Sequence, residues 1–171
     1  MTYQKSIWNL AVEVKIVTQW YMLRNPALIP LSQQHHNGLS LCVLTERALQ
    51  ADRSIANVGK LARRAVDRYE IELSNHFAIE EEVLFPLIEK HLQKMPIIAE
   101  LVSDHRTMEA MIGRLRTEPS TELLQEFCAL LGQHIRREER DLFEQVQQRL
   151  PEDALAEAGK EIDARAVRVC L

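Results

Sequence analysis

Two ten-residue segments of this chain carry the same pattern of functional residues, and they begin 58 positions apart. The first starts at His76 and reads HFAIEEEVLF; the second starts at His134 and reads HIRREERDLF. Both fit the pattern H-x-x-x-E-E-x-x-L-F. Because residues i and i+4 lie on one face of an α-helix, each segment directs an imidazole and a carboxylate the same way. The pairs are His76 with Glu80, and His134 with Glu138.

Further histidines precede each repeat. His105 lies 29 residues after His76 and 29 before His134, and the adjacent His35 and His36 lie further upstream. Nitrogen and oxygen ligands that converge from four helices are how a helical bundle builds a two-metal site in its core. The sequence therefore predicts such a site.

The rest of the chain favours helices. Only 5 glycines and 6 prolines occur in 171 residues, which leaves few places for tight hairpins. The prediction is all-α, an up-down-up-down four-helix bundle with N- and C-terminal extensions, because short connections make sequential helices antiparallel neighbours. We divide the chain into an extension at 1–30, the bundle at 31–150 and a C-terminal helix or tail at 151–171.

Prolines and capping residues set the expected helix limits. Pro26 and Pro30 are expected to close the segment before the first helix, and Pro86 to kink or end the second. A short amphipathic helix is expected over residues 152–165. The four bundle helices are predicted to run from about Ser32 to Ala51, Ser54 to Lys90, Pro96 to Arg116, and Pro119-Ser120 to Leu150.

The histidines and glutamates lie on the apolar faces of these helices. His105, for example, continues a seam of apolar residues at intervals of three and four. Burying such groups without a partner costs several kcal/mol per charge. This cost is the strongest physical argument that a cation lies between them, against the alternative of a metal-free structural bundle.

The order H, H-x-x-x-E, H, H-x-x-x-E over roughly residues 31–150 resembles the hemerythrin-like family, the HHE cation-binding domain. The resemblance implies a four-helix bundle with two non-haem iron ions and a bridging oxo or hydroxo group. Glu80 and Glu138 would bridge the irons. The terminal ligands would be His35 or His36, His76, His105 and His134. Helical phase favours His35, which leaves His36 as a supporting donor, a fifth imidazole or an exposed residue.

A count of ligands indicates open metal positions. Two six-coordinate irons need about twelve positions, of which these residues and a bridging oxygen fill about ten. Dioxygen, nitric oxide or peroxide are the expected small ligands. The chain differs from oxygen-carrying hemerythrins, which place two histidines on the third helix where this chain has only His105. Zinc, which prefers four ligands, is the main alternative metal.

Several polar residues near the repeats are expected to play no part in the site. His91 is predicted to be a surface residue. Cys42 and Cys128 are predicted to be core thiols. Three further repeat carboxylates are expected to face solvent or pair with Arg136 and Arg140, with one additional metal ligand among them as the alternative: Glu81, Glu82 and Glu139.

The N-terminal segment is ambiguous. Apolar residues such as Ile7, Val14 and Tyr21 suit a helix, although residues 12–16 alternate like a strand. Trp8 and Trp20 are expected to cover the bundle or a second subunit, which leaves a homodimer open.

Charge and composition exclude some partners. The net charge of −4 is well mixed, with no basic stripe for nucleic acid and no apolar run long enough for a membrane span. We find no secretion signal, and three widely spaced cysteines suit a reducing cytoplasm. The function predicted is di-iron binding or sensing of a diatomic ligand or of iron and redox state. The alternative is a stress enzyme that reduces nitric oxide or peroxide, or donates iron for iron–sulfur repair.

Overall fold

The computed structural model describes residues 24–168, and within that range it contains helices and no strand. We label five successive helical rods α1 to α5. They span Ile29–Ala51 (α1), 55–92 (α2), Pro96–Thr117 (α3), 121–149 (α4) and Glu152–Arg165 (α5). Helix α2 contains π-helical turns at Tyr69–Leu73 and Glu80–Leu84, and α4 contains one at Glu138–Leu142.

The start of α1 differs from the prediction. A short 3₁₀ turn, Pro26–Leu28, leads directly into α1 at Ile29, three residues before Ser32. Pro30 falls in the first turn of α1, where a missing N–H breaks no helical hydrogen bond. Pro26 and Pro30 therefore begin helical structure and do not close the preceding segment. The predicted start of the fourth helix is confirmed, because the Ser120 hydroxyl accepts from the Leu123 N–H at 3.1 Å.

Pro86 does not end α2, which continues to Leu92. It follows the π-helical turn Glu80–Leu84, in which the Phe85 N–H donates to the Glu80 carbonyl. The proline thus lies in the first turn of the next α-helical segment, a place where the missing N–H is tolerated.

Two apolar clusters fill the bundle, one toward each end. Both draw on all four of α1 to α4. Cluster A includes Leu41, Leu49, Leu61, Leu73, Phe77, Met108, Ile112, Phe127 and Leu131. Cluster B includes Leu28, Leu31, Ile79, Leu84, Ile88, Leu101, Leu142, Phe143 and Ile162.

The order in which the helices enter these clusters defines the topology. Helices α1 and α3 run from cluster B to cluster A, whereas α2 and α4 run from A to B. Sequential helices are therefore antiparallel, and the predicted all-α, up-down-up-down four-helix bundle is confirmed.

Helix α5 packs against the beginning of the described chain. Its Gly159 lies so close to Ala27 that a Cβ at this glycine would come within 2.6 Å of the alanine Cβ. The helix occupies the range predicted for it. The predictions for Trp8 and Trp20, and for a helix that includes Ile7, Val14 and Tyr21, fall outside the described residues. The domain division stays a prediction. Across 24–168 no helix is both long and apolar enough to cross a membrane.

Candidate metal centre

A polar layer separates cluster A from cluster B, and it contains all six predicted ligands. Each of the six residues is at most 3% exposed. They come from four helices: His35 on α1, His76 and Glu80 on α2, His105 on α3, and His134 and Glu138 on α4. The other two histidines of the chain are exposed: His36, the alternative candidate on α1, and His91, which the sequence predicts to lie on the surface.

The ligand atoms form two groups that share both glutamates. One group contains His35 and His76, and the other contains His105 and His134. Glu80 and Glu138 belong to each. Within each group, one ligand atom per residue lies within 4.8 Å of the others. We call these two groups position 1 and position 2. The structure therefore brings the six predicted residues together in two groups, and their assignment as metal ligands stays a prediction.

The imidazoles of each position face one another through their Nε2 atoms. These atoms are 2.9 Å apart for His35 and His76 and 3.1 Å apart for His105 and His134. Two neutral Nε2 lone pairs repel at this distance unless a proton or a metal ion lies between them. Each pair is therefore built to share a small cation.

The opposite nitrogens fix the orientation of the rings. Every Nδ1 lies beside an oxygen that can only accept its hydrogen bond, so Nδ1 carries the proton and Nε2 is left to bind inward. The four acceptors are Glu139 Oε1 for His35 (2.7 Å), Gln34 Oε1 for His76 (2.9 Å), Glu81 Oε1 for His105 (2.9 Å) and Asp104 Oδ2 for His134 (3.2 Å).

Both shared carboxylates span the two positions. Glu80 Oε1 lies 3.3 Å from His76 Nε2 and its Oε2 lies 3.4 Å from His105 Nε2. Glu138 Oε2 lies 3.0 Å from His35 Nε2 and 3.2 Å from His134 Nε2. None of the four carboxylate oxygens of Glu80 and Glu138 accepts a hydrogen bond from the described residues. Buried carboxylate oxygens without donors are unfavourable, and a cation between them removes the penalty.

The carboxylates also draw positive charge into the layer. Burial alone lowers the pKa of His35, but contact with Glu138 and Glu139 outweighs it and raises that pKa to about 10. Burial and the charge on His35 lower the pKa of His76 to about 3. Without a metal ion, His35 is therefore the protonated member of the pair, and its Nε2 faces both His76 Nε2 at 2.9 Å and Glu138 Oε2 at 3.0 Å.

Burial and the charge on Glu138 raise the pKa of Glu80 to about 7. Glu138 behaves in the opposite way: burial favours its neutral form, but His134 and His35 hold its pKa well below the usual range. In the absence of a metal ion and below about pH 7, Glu80 is therefore mainly neutral while Glu138 is charged.

The local structure around each glutamate repeats along with the motif. A π-helical turn begins at Glu80 and another at Glu138. Such turns are rare and frequently occur at functional sites. The phenylalanines that end the two motifs stack beside imidazoles from neighbouring helices. Phe143 lies 5.4 Å from the His35 ring centre, and Phe85 lies 6.2 Å from that of His105.

The prediction that Glu81 and Glu139 face solvent or pair with Arg136 and Arg140 is wrong. Both are about four-fifths buried, and each accepts from the outer nitrogen of a histidine on another helix. Helical phase suggested solvent because it considers one helix at a time, whereas these carboxylates lie at seams between helices. Only Glu82 behaves as predicted: it is exposed and pairs with Arg165.

Sequence reasoning also missed Gln34 and Asp104. Each immediately precedes a histidine of the site and accepts from a repeat histidine. Two signals were present in the sequence: the second glutamate recurs in both motifs, and a polar acceptor stands directly before both His35 and His105.

Cys42 and Cys128 lie in cluster A as free thiols, as predicted for core cysteines. A hydrogen bond with Cys128 and burial both raise the pKa of Cys42, so its thiolate is disfavoured. Cys42 therefore contacts Cys128 and is not an activated thiol.

The fold and this layer of histidines and glutamates agree with one known family. The model of the hemerythrin HHE cation binding domain matches residues 30–146, which is more than half of the chain and includes all six residues. The chain belongs to the hemerythrin family. No curated protein and no solved structure matches it. The buried cluster of this hemerythrin domain suits metal-ion binding.

Proposed function

We propose that this hemerythrin domain holds two non-haem iron ions and uses them to bind or sense a small ligand such as dioxygen or nitric oxide. The ligands in this proposal are the six residues of the layer: His35, His76, Glu80, His105, His134 and Glu138. The two shared glutamates would bridge the metal ions. A cytoplasmic location and a homodimer stay predictions.

One observation carries the proposal. Four inward Nε2 atoms, each oriented by an acceptor at Nδ1, surround two carboxylates that accept no hydrogen bond from residues 24–168. Within that range, hydrogen bonds satisfy every outer nitrogen and leave the inner oxygens without donors. Such a donor set is explained by cations at the centre and is unfavourable without them.

The spacing of the nitrogens supports a metal with more than four ligands. Two nitrogens at about 2.1 Å from one metal are about 3.0 Å apart at a right angle and about 3.4 Å apart at a tetrahedral angle. The observed separations are 2.9 Å and 3.1 Å. This argues for six-coordinate iron over tetrahedral zinc.

Burial of the layer supports a small ligand. The six residues are at most 3% exposed, so a bulky substrate does not reach the metal ions without opening the bundle. A bound iron pair would supply redox chemistry and open coordination positions for a diatomic molecule. The protein side chains fix the inward nitrogens, hold the bridging carboxylates and exclude bulk water.

Anaerobic loading of the full chain with ferrous iron tests the proposal. We expect about two irons per chain by metal analysis, and an optical band that appears under dioxygen or nitric oxide and disappears under vacuum. One iron or fewer per chain, with full helical content, overturns the two-metal centre. Two irons that oxidise irreversibly with turnover of the ligand support the stress-enzyme alternative and overturn reversible binding.

A further inference from the structure

The two metal positions are built from equivalent residues on different helices. Residues of α2 correspond to those of α4 at a spacing of 58, and residues of α1 correspond to those of α3 at a spacing of 70. His76 and His134 are one such pair, and His35 and His105 are another. The matching acceptors are Glu81 with Glu139 and Gln34 with Asp104.

This correspondence has one chemical exception. Glu81 and Glu139 both accept from an imidazole Nδ1 and both pair with an arginine, Arg106 and Arg24 respectively. At the remaining pair of acceptors the charge differs. His134 donates to the carboxylate of Asp104, whereas His76 donates to the neutral amide of Gln34.

Neighbouring groups hold both acceptors in place. The Gln34 side chain is buried, and its Nε2 donates to the Val167 carbonyl at 3.1 Å. Because Nε2 is engaged there, Oε1 is the atom that faces His76. On the other side Asp104 pairs with Arg137, which also contacts Glu100 at 3.2 Å. The difference between amide and carboxylate is thus a fixed feature of the two positions.

A carboxylate behind an imidazole makes the metal-binding nitrogen more basic than an amide does. At position 2 both imidazoles have a carboxylate behind them, from Glu81 and Asp104. At position 1 only His35 does, because Gln34 stands behind His76. Each shared glutamate lies within 3.4 Å of a histidine Nε2 at both positions, so the acceptors behind the imidazoles are the clearest chemical difference between them.

We propose that the two positions are unequal, so that the first iron binds at position 2 and the second, more weakly, at position 1. This inference rests on the proposed two-iron function. Changing a partner behind a metal-binding histidine typically alters affinity by about 10–100-fold. We therefore expect two binding steps separated by about that factor. This difference in iron affinity allows a state with one iron per chain, in which position 2 stays filled while position 1 exchanges its metal with solution.

Anaerobic calorimetric titration of the full chain with ferrous iron measures the two steps, and proton NMR at one equivalent identifies the position. With one iron per chain, the strongly shifted Nδ1–H signals should come from the imidazoles of position 2. They should therefore be absent from the His134→Ala variant and present in the His76→Ala variant. Asp104→Asn should weaken the first step by about 10–100-fold and merge the two steps. Glu100→Gln is the matched control, since it removes one charge beside Arg137 without contacting a histidine.

The reciprocal variant Gln34→Glu with Asp104→Asn is the sharpest test. It exchanges the charge of the two acceptors, so the first iron should now bind at position 1. A merely structural role for either residue would weaken binding without reversing the order. If the double variant does not fold, the Asp104→Asn variant still tests the proposal, because it should weaken the first binding step and merge it with the second.

The outcomes separate this inference from the proposed function. Two irons that bind in one step, or with an order that Asp104→Asn does not change, overturn the inequality and leave the two-iron centre intact. Binding of fewer than two irons by the parent chain overturns the proposed function itself.

Discussion

The polar layer and the apolar clusters on either side of it are built on the same four helices but meet opposite physical demands. In cluster A, side chains such as Phe127 are fully buried among apolar neighbours, which stabilises the fold without any ligand. In the layer, Glu80 and Glu138 are equally buried, yet their carboxylate oxygens accept no hydrogen bond from the part of the chain that the structure describes. The clusters therefore hold the bundle together, and the layer is a local source of instability that a cation relieves.

The largest expected effect concerns metal occupancy. His76→Ala and His134→Ala each remove one of the two nitrogens at one position, so we expect iron content to fall far below that of the parent chain. His91→Ala should retain full iron, because that side chain is exposed outside the layer. Metal analysis after anaerobic loading and desalting measures this. Equal loss in all three variants would contradict the placement of the site.

A truncation in cluster A should act on stability and not on binding. Phe127→Ala is expected to lower the free energy of unfolding by about 3–5 kcal/mol, because it removes a buried ring and leaves a cavity. The loss should be the same in the metal-free and iron-loaded forms, as measured by denaturant unfolding. A loss that differs clearly between the two forms would show that cluster and layer are coupled.

The four-helix bundle and the six residues of the layer could be predicted from sequence because both follow from periodicity within one helix. His76 and Glu80 share a face by their spacing alone, and the same holds for His134 and Glu138. The acceptors behind the imidazoles could not be placed this way. Glu81 meets His105 across a seam between helices, and such a contact depends on how two helices pack.

The errors at helix ends have a different origin. Pro30 is expected to close a segment and Pro86 to kink or end α2, yet Pro30 lies in the first turn of α1 and α2 continues past Pro86 to Leu92. The π-helical turns themselves depend on i→i+5 bonding that no residue type signals.

The two shared glutamates, Glu80 and Glu138, should differ in their effect on the metal-free chain. The pKa of Glu80 is raised to about 7, so folding disfavours its charged form. The stability that the neutral form contributes at low pH is therefore lost as the pH rises from the ordinary carboxyl pKa through about 7. The lowered pKa of Glu138 means that its charge stabilises the fold above the ordinary carboxyl pKa. At pH 8, Glu80→Gln should leave metal-free stability unchanged or raise it, whereas Glu138→Gln should lower it by about 1–3 kcal/mol.

In the iron-loaded form both substitutions should lower the melting temperature, because each removes a bridging anion from between two cations. Thermal melts of both forms, at pH 8, provide the comparison. If Glu80→Gln destabilises the metal-free chain as much as the loaded one, then protein hydrogen bonds hold Glu80 and its assignment as a bridge should be dropped.

A smaller effect is expected at the edge of the layer. Glu81→Gln keeps an oxygen within reach of His105 Nδ1 but removes the charge behind that imidazole. Iron affinity should fall by about 10–100-fold, with two irons still bound at saturation. Competition with a chelator measures the affinity, and an unchanged affinity would mean that the contact only orients the ring.

The smallest effect is expected one residue further along α2, at Glu82. This side chain is 61% exposed, and the only ion pair that the described residues give it is with Arg165 on α5. Exposed pairs of this kind contribute about 0–1 kcal/mol, because water screens the charges and ordering two long side chains opposes the attraction. Glu82→Gln should therefore change the free energy of unfolding by less than about 1 kcal/mol and leave iron affinity as it is.

The matched variant is Glu81→Gln, which removes the same charge from the same helix. Comparing the two variants distinguishes the effect of contact with an imidazole from the effect of the net charge of α2. Chelator competition and denaturant unfolding on both variants make the measurement. Equal losses of iron affinity would show that the layer responds to the net charge of α2, and the distinction between the layer and its surroundings would have to be redrawn.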